Sequence, residues 1–309
     1  VIAAGLVARV SGGAGTMFLG TFVACGGIAV CNVLIPVVIK ENFPDRIGLI
    51  TGCYTAALQS AAALGAALTP QLYGAFGGWR PALGGWASIA VLAVLVWAIA
   101  APRAGVRSRQ RGDVSAERPK PGAMLRNPLA WLVTAYFGCQ SLFAYVIMGW
   151  LPEVLVDAGV ARGTAGVLSG LVSLLGVPVS LIITPLAARR RSQAGWASGL
   201  GVLSLIGAIG LMLAPAAAPI LWSVLIGFGM GSFAIAVALI SLRSATPAQT
   251  EALSTMTQSI GYLISATGPL AFGVLHGVTD SWTLPFLLVI VVLLTQITIG
   301  AFAGRDRYV

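Results

Sequence analysis

Between residues 254 and 269, Ser254, Gln258, Tyr262, Ser265 and Pro269 recur at spacings of four, four, three and four. That spacing puts all five on one face of a helix. Ser169, Ser173, Gly176 and Ser180 repeat the pattern, and Tyr136 with Gln140, Thr55 with Gln59, and Asn32 with Pro36 add shorter versions. Each group lies inside an apolar run. Hydroxyls and amides there need partners or a wet cavity, because hydrocarbon satisfies neither. Two readings are open: they line a cavity and hydrogen-bond a small polar solute, or they join helices to one another. The amides Asn32, Gln59, Gln140 and Gln258, with Tyr136 and Tyr262, are assigned to the cavity and the serines to helix contacts. Pro36, Gly65, Pro70, Gly268 and Pro269 are assigned to helix bending and close packing.

One cation, Arg9, falls where it can sit within hydrocarbon. It either snorkels to the surface or presents its fork of donors to an anion. None of the nine acidic residues falls mid-span. A carboxylate for proton coupling would then lie outside this chain, or the solute would carry the proton, so protons stay candidate partners. The single histidine, His276, sits at a span end. The run "GFGMG" (227–231) lies inside an apolar helix, which favours close packing over a nucleotide loop. No Walker sequence, metal-ligand cluster or Ser/His/Asp set is visible. The chain is therefore read as no enzyme, with no cofactor and no metal.

These groups need elements to hold them, and composition says which. Of 309 residues, 58% are hydrophobic and 9% charged, with mean hydropathy +0.93. Soluble domains carry about 25% charged residues, so the chain belongs in a bilayer. Nine segments are long and apolar enough to span it: 16–39, 47–72, 82–101, 128–151, 164–187, 195–213, 219–242, 252–275 and 284–303. Residues 1–10 read as half a span. The net charge of +9 sits between spans without interleaved aromatics, which marks topology rather than nucleic-acid binding. With the 40–46 turn in the cytoplasm, 15 of the 18 basic residues fall on that side. The expected location is a bacterial inner membrane, multi-pass, with the C-terminus cytoplasmic. Cys25, Cys31, Cys53 and Cys139 fall in apolar runs without a CxxC pair and are read as free thiols.

The chain divides into 1–101, a basic cytoplasmic linker at 102–127 expected to be poorly ordered, a six-span bundle at 128–303 and a tail at 304–309. The halves echo each other. Gln59-Ser60, Pro70 and Gly74 match Gln258-Ser259, Pro269 and Gly273 at an offset of 199, and Gly26, Lys40 and Pro44 match Gly229, Arg243 and Pro247 at 203. Repeated six-span bundles around a central linker predict twelve helices in all, so about two and a half are expected to precede residue 1.

The motifs "NVLIP" (32–36), "KENFP" (40–44) and "GCYTAAL" (52–58), with "GWLPEVLVDAG" (149–159) and "TQSIGYLISATGPLAFGVLHGVTDSW" (257–282), resemble the cyanate/2-nitroimidazole permease branch of the major facilitator superfamily. The resemblance runs over essentially the whole chain. It implies an all-α membrane fold of two pseudo-repeated bundles, a monomer, and alternating-access transport of a small, anionic or neutral solute. By motif match it carries over Arg9, Asn32, Gln140 and Gln258 as cavity residues. The alternatives are a multidrug-type efflux porter, against which the lack of a mid-span acid argues, and a truncated, inactive remnant of a transporter.

Overall fold

The computed structural model describes residues 1–103, 122 and 124–309, without the side chains of 66, 67, 70, 71 and 100–103. Every regular element among the described residues is helical. In chain order these are α1 (Ile2–Val10), α2 (Ala14–Asn42), α3 (Ile47–Phe76), α4 (Trp79–Gly85), α5 (Ala87–Arg103), α6 (Pro128–Asp157), α7 (Arg162–Ala188), α8 (Ala194–Leu213), α9 (Pro219–Gly229), α10 (Ser232–Leu242), α11 (Pro247–Thr279) and α12 (Thr283–Ala303). Nine stretches among the described residues are long and apolar enough to cross a membrane, and each overlaps one of the nine expected spans with shifted ends, as in Pro44–Gly65 against 47–72. The linker expectation for 102–127 falls mostly on residues outside those described.

The ends of the spans follow local chemistry. Asn127 caps α6 by accepting from the amides of Leu129 at 2.9 Å and Ala130 at 3.4 Å, and Pro128 takes the first helical position. Thr246 and Gln249 form a reciprocal capping box before α11, again with Pro at the first position. Asp280, with φ of 48°, ends α11 in the left-handed conformation.

The chain divides into two compact units. The first comprises Val1–Leu34 and Leu64–Arg118. In it α1 packs on α4, α5 and α2. Gly5 and Gly20 allow that approach: a Cβ at Gly20 would lie 2.6 Å from Arg9 Cα and 2.7 Å from the Gly5 carbonyl oxygen. Arg80 ties the α1–α2 turn by donating to the Gly12 carbonyl at 3.0 Å.

The second unit comprises Ile35–Ala63 and Pro119–Val309. Its core has two apolar layers. One is built on Phe143, Leu151, Leu155, Phe272 and Phe286, the other on Phe137, Leu200, Leu239, Leu253 and Met256. On α6 the layers meet between Phe137 and Leu142, and on α12 between Leu293 and Ala303. The span 219–242 is not one uninterrupted helix. It breaks at Met230–Gly231, where the Gly231 amide bonds back only to Phe228 O (3.1 Å) and the Phe233 amide to Met230 O (3.1 Å). Tighter, 3₁₀-like bonding there lets three glycines face their neighbours. A Cβ at Gly229 would meet the Ser204 amide nitrogen at 2.8 Å and Leu200 O at 2.9 Å, while Gly227 abuts Leu175 and Gly231 abuts Val179. Close packing is thus what "GFGMG" provides. The four cysteines are free thiols.

Candidate functional site

Between the apolar layers of the second unit lies a polar belt. Gln140 on α6 and Gln296 on α12 are both 0% exposed. The Gln296 amide donates to Gln140 Oε1 at 2.7 Å, and the Gln140 amide points at Met230 Sδ at 3.8 Å, beside the break between α9 and α10. One turn earlier on α6, buried Tyr136 donates to the Ala197 carbonyl at 3.4 Å, with Ser232 and Gln296 beside its hydroxyl. Its ring lies against Gly300, where a Cβ would come within 2.8 Å. The belt therefore joins α6, α8, α10 and α12, and both glutamines are buried, where a hydrogen bond is electrostatically stronger than in water.

On α11, Gln258 donates to Ser254 Oγ at 3.0 Å, along the face expected from their spacing. Thr257 and Thr134 link α11 to α6 at 3.3 Å. Tyr262 is half-buried, its ring edge-on to Phe137 at 5.2 Å. Ser265 bonds its own helix, to Tyr262 O at 3.0 Å, as do many hydroxyls in the chain. Gly268 packs on Leu142 and Val146 of α6. Pro269 lies inside an uninterrupted α11, and its carbonyl accepts from Trp150 Nε1 at 3.1 Å.

The segment 35–63 seats on α7 and α10 within the same unit. Lys40 Nζ donates to Ser241 O at 3.0 Å, and Ser241 Oγ donates to Pro36 O at 3.2 Å. A cation thus meets the carbonyl end of α10, where the helix dipole favours it. Gly48 and Gly52 bring α3 onto α7: a Cβ at Gly48 would lie 3.0 Å from Thr184 O, and one at Gly52 would strike the Ser180 carbonyl. Gln59 lies against Gly176, with Cδ 3.3 Å from where a Cβ would be.

In the first unit, Arg9 ends α1 half-buried, and its Nε is shielded from solvent without a hydrogen-bond partner among the described residues. Asn32 is half-buried in α2. Gly65 faces open space on α3, and the side chain of Pro70 lies outside those described. The structure thus gathers Tyr136 and Gln140 in one buried network, and Gln258 and Tyr262 on one helix.

Three features went unread in the sequence. Gln296 is a lone amide in an apolar run, and that isolation is the signal that could have found it. Met230 is an ordinary apolar residue by type. Arg243 entered the repeat match and the topology count but no structural role, yet it is 2% exposed. It donates to Ala303 O at 3.1 Å, to Gly304 O at 2.7 Å and to Gln193 Oε1. Burial pulls its guanidinium below the ordinary value, with Asp306 and Tyr308 pulling the other way. The stacked pair His276–Trp282, with ring centroids 3.6 Å apart, and the bond from Trp282 Nε1 to Asp157 at 3.1 Å close the opposite end.

Comparison with known proteins adds a family to this geometry. Residues 1–269 match the Major Facilitator Superfamily model. A 2-nitroimidazole transporter of Escherichia coli (strain K12) is 37% identical over 309 residues, covering 99% of this chain and 77% of its own. An uncharacterized transporter, YycB, of Bacillus subtilis (strain 168) is 34% identical over 100% of this chain and 76% of its own. The cyanate transport protein CynX of E. coli (strain K12) is 29% identical over 83% of this chain and 65% of its own.

Proposed function

The chain belongs to the Major Facilitator Superfamily, and on that premise we propose which solute this transporter of small molecules carries and how. The solute is small and anionic or weakly acidic, of the cyanate or nitroimidazole kind that the names of two relatives carry. The observation that carries this reading is Arg9, whose Nε is buried without a partner among the described residues. A buried donor on a guanidinium is costly unless something accepts from it. An anionic solute is the natural acceptor.

Within the first unit, Asn32 is assigned as a further solute contact; within the second unit, Gln59, Gln258 and Tyr262 are assigned as that unit's solute contacts. Tyr136 and Gln140 are assigned to the second unit's set, with Gln296 fixing the Gln140 carbonyl so that its amide group holds one orientation. Transport proceeds by alternating access, in which the Lys40–Ser241–Pro36 contacts of the second unit release and re-form. Gly268 and Pro269, with Gly65, Pro70 and Pro36, supply the bending. The protein works as a monomer, with protons as the coupling partner when the solute moves in its protonated form.

The membrane is the bacterial inner membrane and the C-terminus is cytoplasmic, supported by 15 of 18 basic residues falling on one side. A C-terminal fluorescent fusion is expected to fold and glow, and a C-terminal alkaline phosphatase fusion to be inactive. The reverse result would invert the topology. Substrate identity is tested with the purified full-length protein in liposomes, offered labelled cyanate and labelled 2-nitroimidazole separately. Saturable uptake of at least one, enhanced by an inward proton gradient, is expected. Uptake of neither, with uptake of a lipophilic cation instead, would replace this reading with drug efflux.

A further inference from the structure

At the end of the second unit where α12 finishes, the chain does not trail away. Gly304 O accepts from the Gln193 amide (2.7 Å), from Ser192 Oγ (3.0 Å) and from Arg243 (2.7 Å). Five residues later the Val309 amide donates to Arg243 O at 2.9 Å. Residues 305–308 therefore form a strap pinned at both ends. Beneath it lies a cavity of 240 Å³, lined by Asn127, Leu129, Leu132, Phe302, Arg307 and Tyr308. This is smaller than the ~300–1,000 Å³ of drug-sized ligand sites. Its floor is aliphatic and aromatic, and its polar side carries a guanidinium and a phenol.

The surroundings repeat that pairing of charge with apolar surface. Arg305 lies over the Phe302 ring at 4.6 Å, and Arg126 sits exposed one residue before Asn127. Leu125 (53%), Trp131 (43%) and Phe302 (45%) are exposed side chains of an element that spans a bilayer or flanks one. Trp131 is held by its bond to Leu125 O at 2.8 Å. Asp306 is the acid of the strap, and its charge acts on Arg243. Arginines beside an interfacial tryptophan and a small amphipathic cavity, at a membrane-facing helix end, match an anionic lipid: phosphate on the arginines, acyl chain along the apolar face. The adjoining linker is a poor occupant, because residues 104–121 carry Arg107, Arg109, Arg111, Arg118 and Lys120 against Asp113 and Glu117.

We propose that this cavity is a binding site for the headgroup of an anionic glycerophospholipid from the surrounding leaflet, held by Arg307 with Arg126 and Arg305 at its rim. The site does not depend on which solute is carried.

The test is native mass spectrometry of the full-length protein released from mixed micelles of phosphatidylglycerol and phosphatidylcholine. Wild type is expected to retain phosphatidylglycerol in preference to phosphatidylcholine. Arg307→Gln should lower that retention about fivefold, the effect of one arginine at a membrane surface. Leu132→Trp, which fills the cavity without touching charge, should lower it as well. Thermal midpoints in phosphatidylcholine alone establish that each variant is folded. Equal retention of the two lipids by wild type would overturn the proposal, as would undiminished phosphatidylglycerol on both folded variants. Displacement of the lipid by inorganic phosphate would also overturn it, by making the site one for the free anion.

Discussion

Arg243→Met is expected to destabilise the protein by about 3 kcal/mol, because each buried polar group left without its partner costs about 1–3 kcal/mol. The guanidinium serves three acceptors, Ala303 O, Gly304 O and Gln193 Oε1. Gly304 O keeps two other donors, so its loss is small. Ala303 O and Gln193 Oε1 are the groups stranded. Methionine relieves the desolvation of a buried charge, which offsets part of the loss. The offset is the smaller effect here, because the partners stay buried and polar after the substitution. Arg243→Lys keeps the charge but cannot span three acceptors, and is expected to fall between. Thermal unfolding of the three proteins in one detergent checks this ranking. Arg243→Met as stable as wild type would show that the arginine clamps nothing.

Arg9→Ala is expected to reduce uptake of an anionic solute by about 10–100-fold, the range given by a charge-assisted hydrogen bond of roughly 1.5–3 kcal/mol. The fold should survive the change. What α1 packs against α2 at this position is the Arg9 backbone, which Gly20 contacts, and alanine keeps it. Arg9→Lys should recover only part of the transport, since an ammonium offers no planar fork. Initial rates in liposomes, normalised to protein inserted, are the measurement. Equal rates for wild type and Arg9→Ala would remove Arg9 from the solute path. Loss of transport fully restored by Arg9→Lys would reduce its role to a point charge.

What the sequence disclosed and what it hid divide along a physical line. The nine spans were readable because a bilayer forces every crossing segment to be long, apolar and internally hydrogen-bonded. Helix ends were half readable. The Pro residues at 128 and 247 mark the starts of α6 and α11, and α11 runs on through Pro269, as the expected span 252–275 already did. The interruption at Met230–Gly231 was not readable, since glycine-rich runs are ordinary in membrane helices. It takes Gly229 against Ser204 and Leu200 to show why the helix tightens there.

Polar residues followed the same rule. Spacing placed Ser254 and Gln258 on one face, because that is local geometry, and the Gln258–Ser254 bond lies along it. Spacing says nothing of the partner 156 residues away, so the Gln296–Gln140 bond stayed hidden. Lys40 and Arg243, 203 residues apart, were matched in the repeat and counted as topology signals. Each in fact delivers its charge to the carbonyl end of a helix, Ser241 on α10 for one and Ala303 on α12 for the other. A charge count records the residue and not its reach.

The most direct test of transport by alternating access is counterflow. Liposomes holding the full-length protein are loaded with unlabelled 2-nitroimidazole or cyanate and diluted into a trace of the labelled solute. A carrier that exposes one site to each side in turn exchanges label inward faster than it loses the internal pool. A transient overshoot of internal label above its outside concentration is therefore predicted, absent from empty liposomes. Label that only equilibrates, at a rate unaffected by the internal load, would contradict the account.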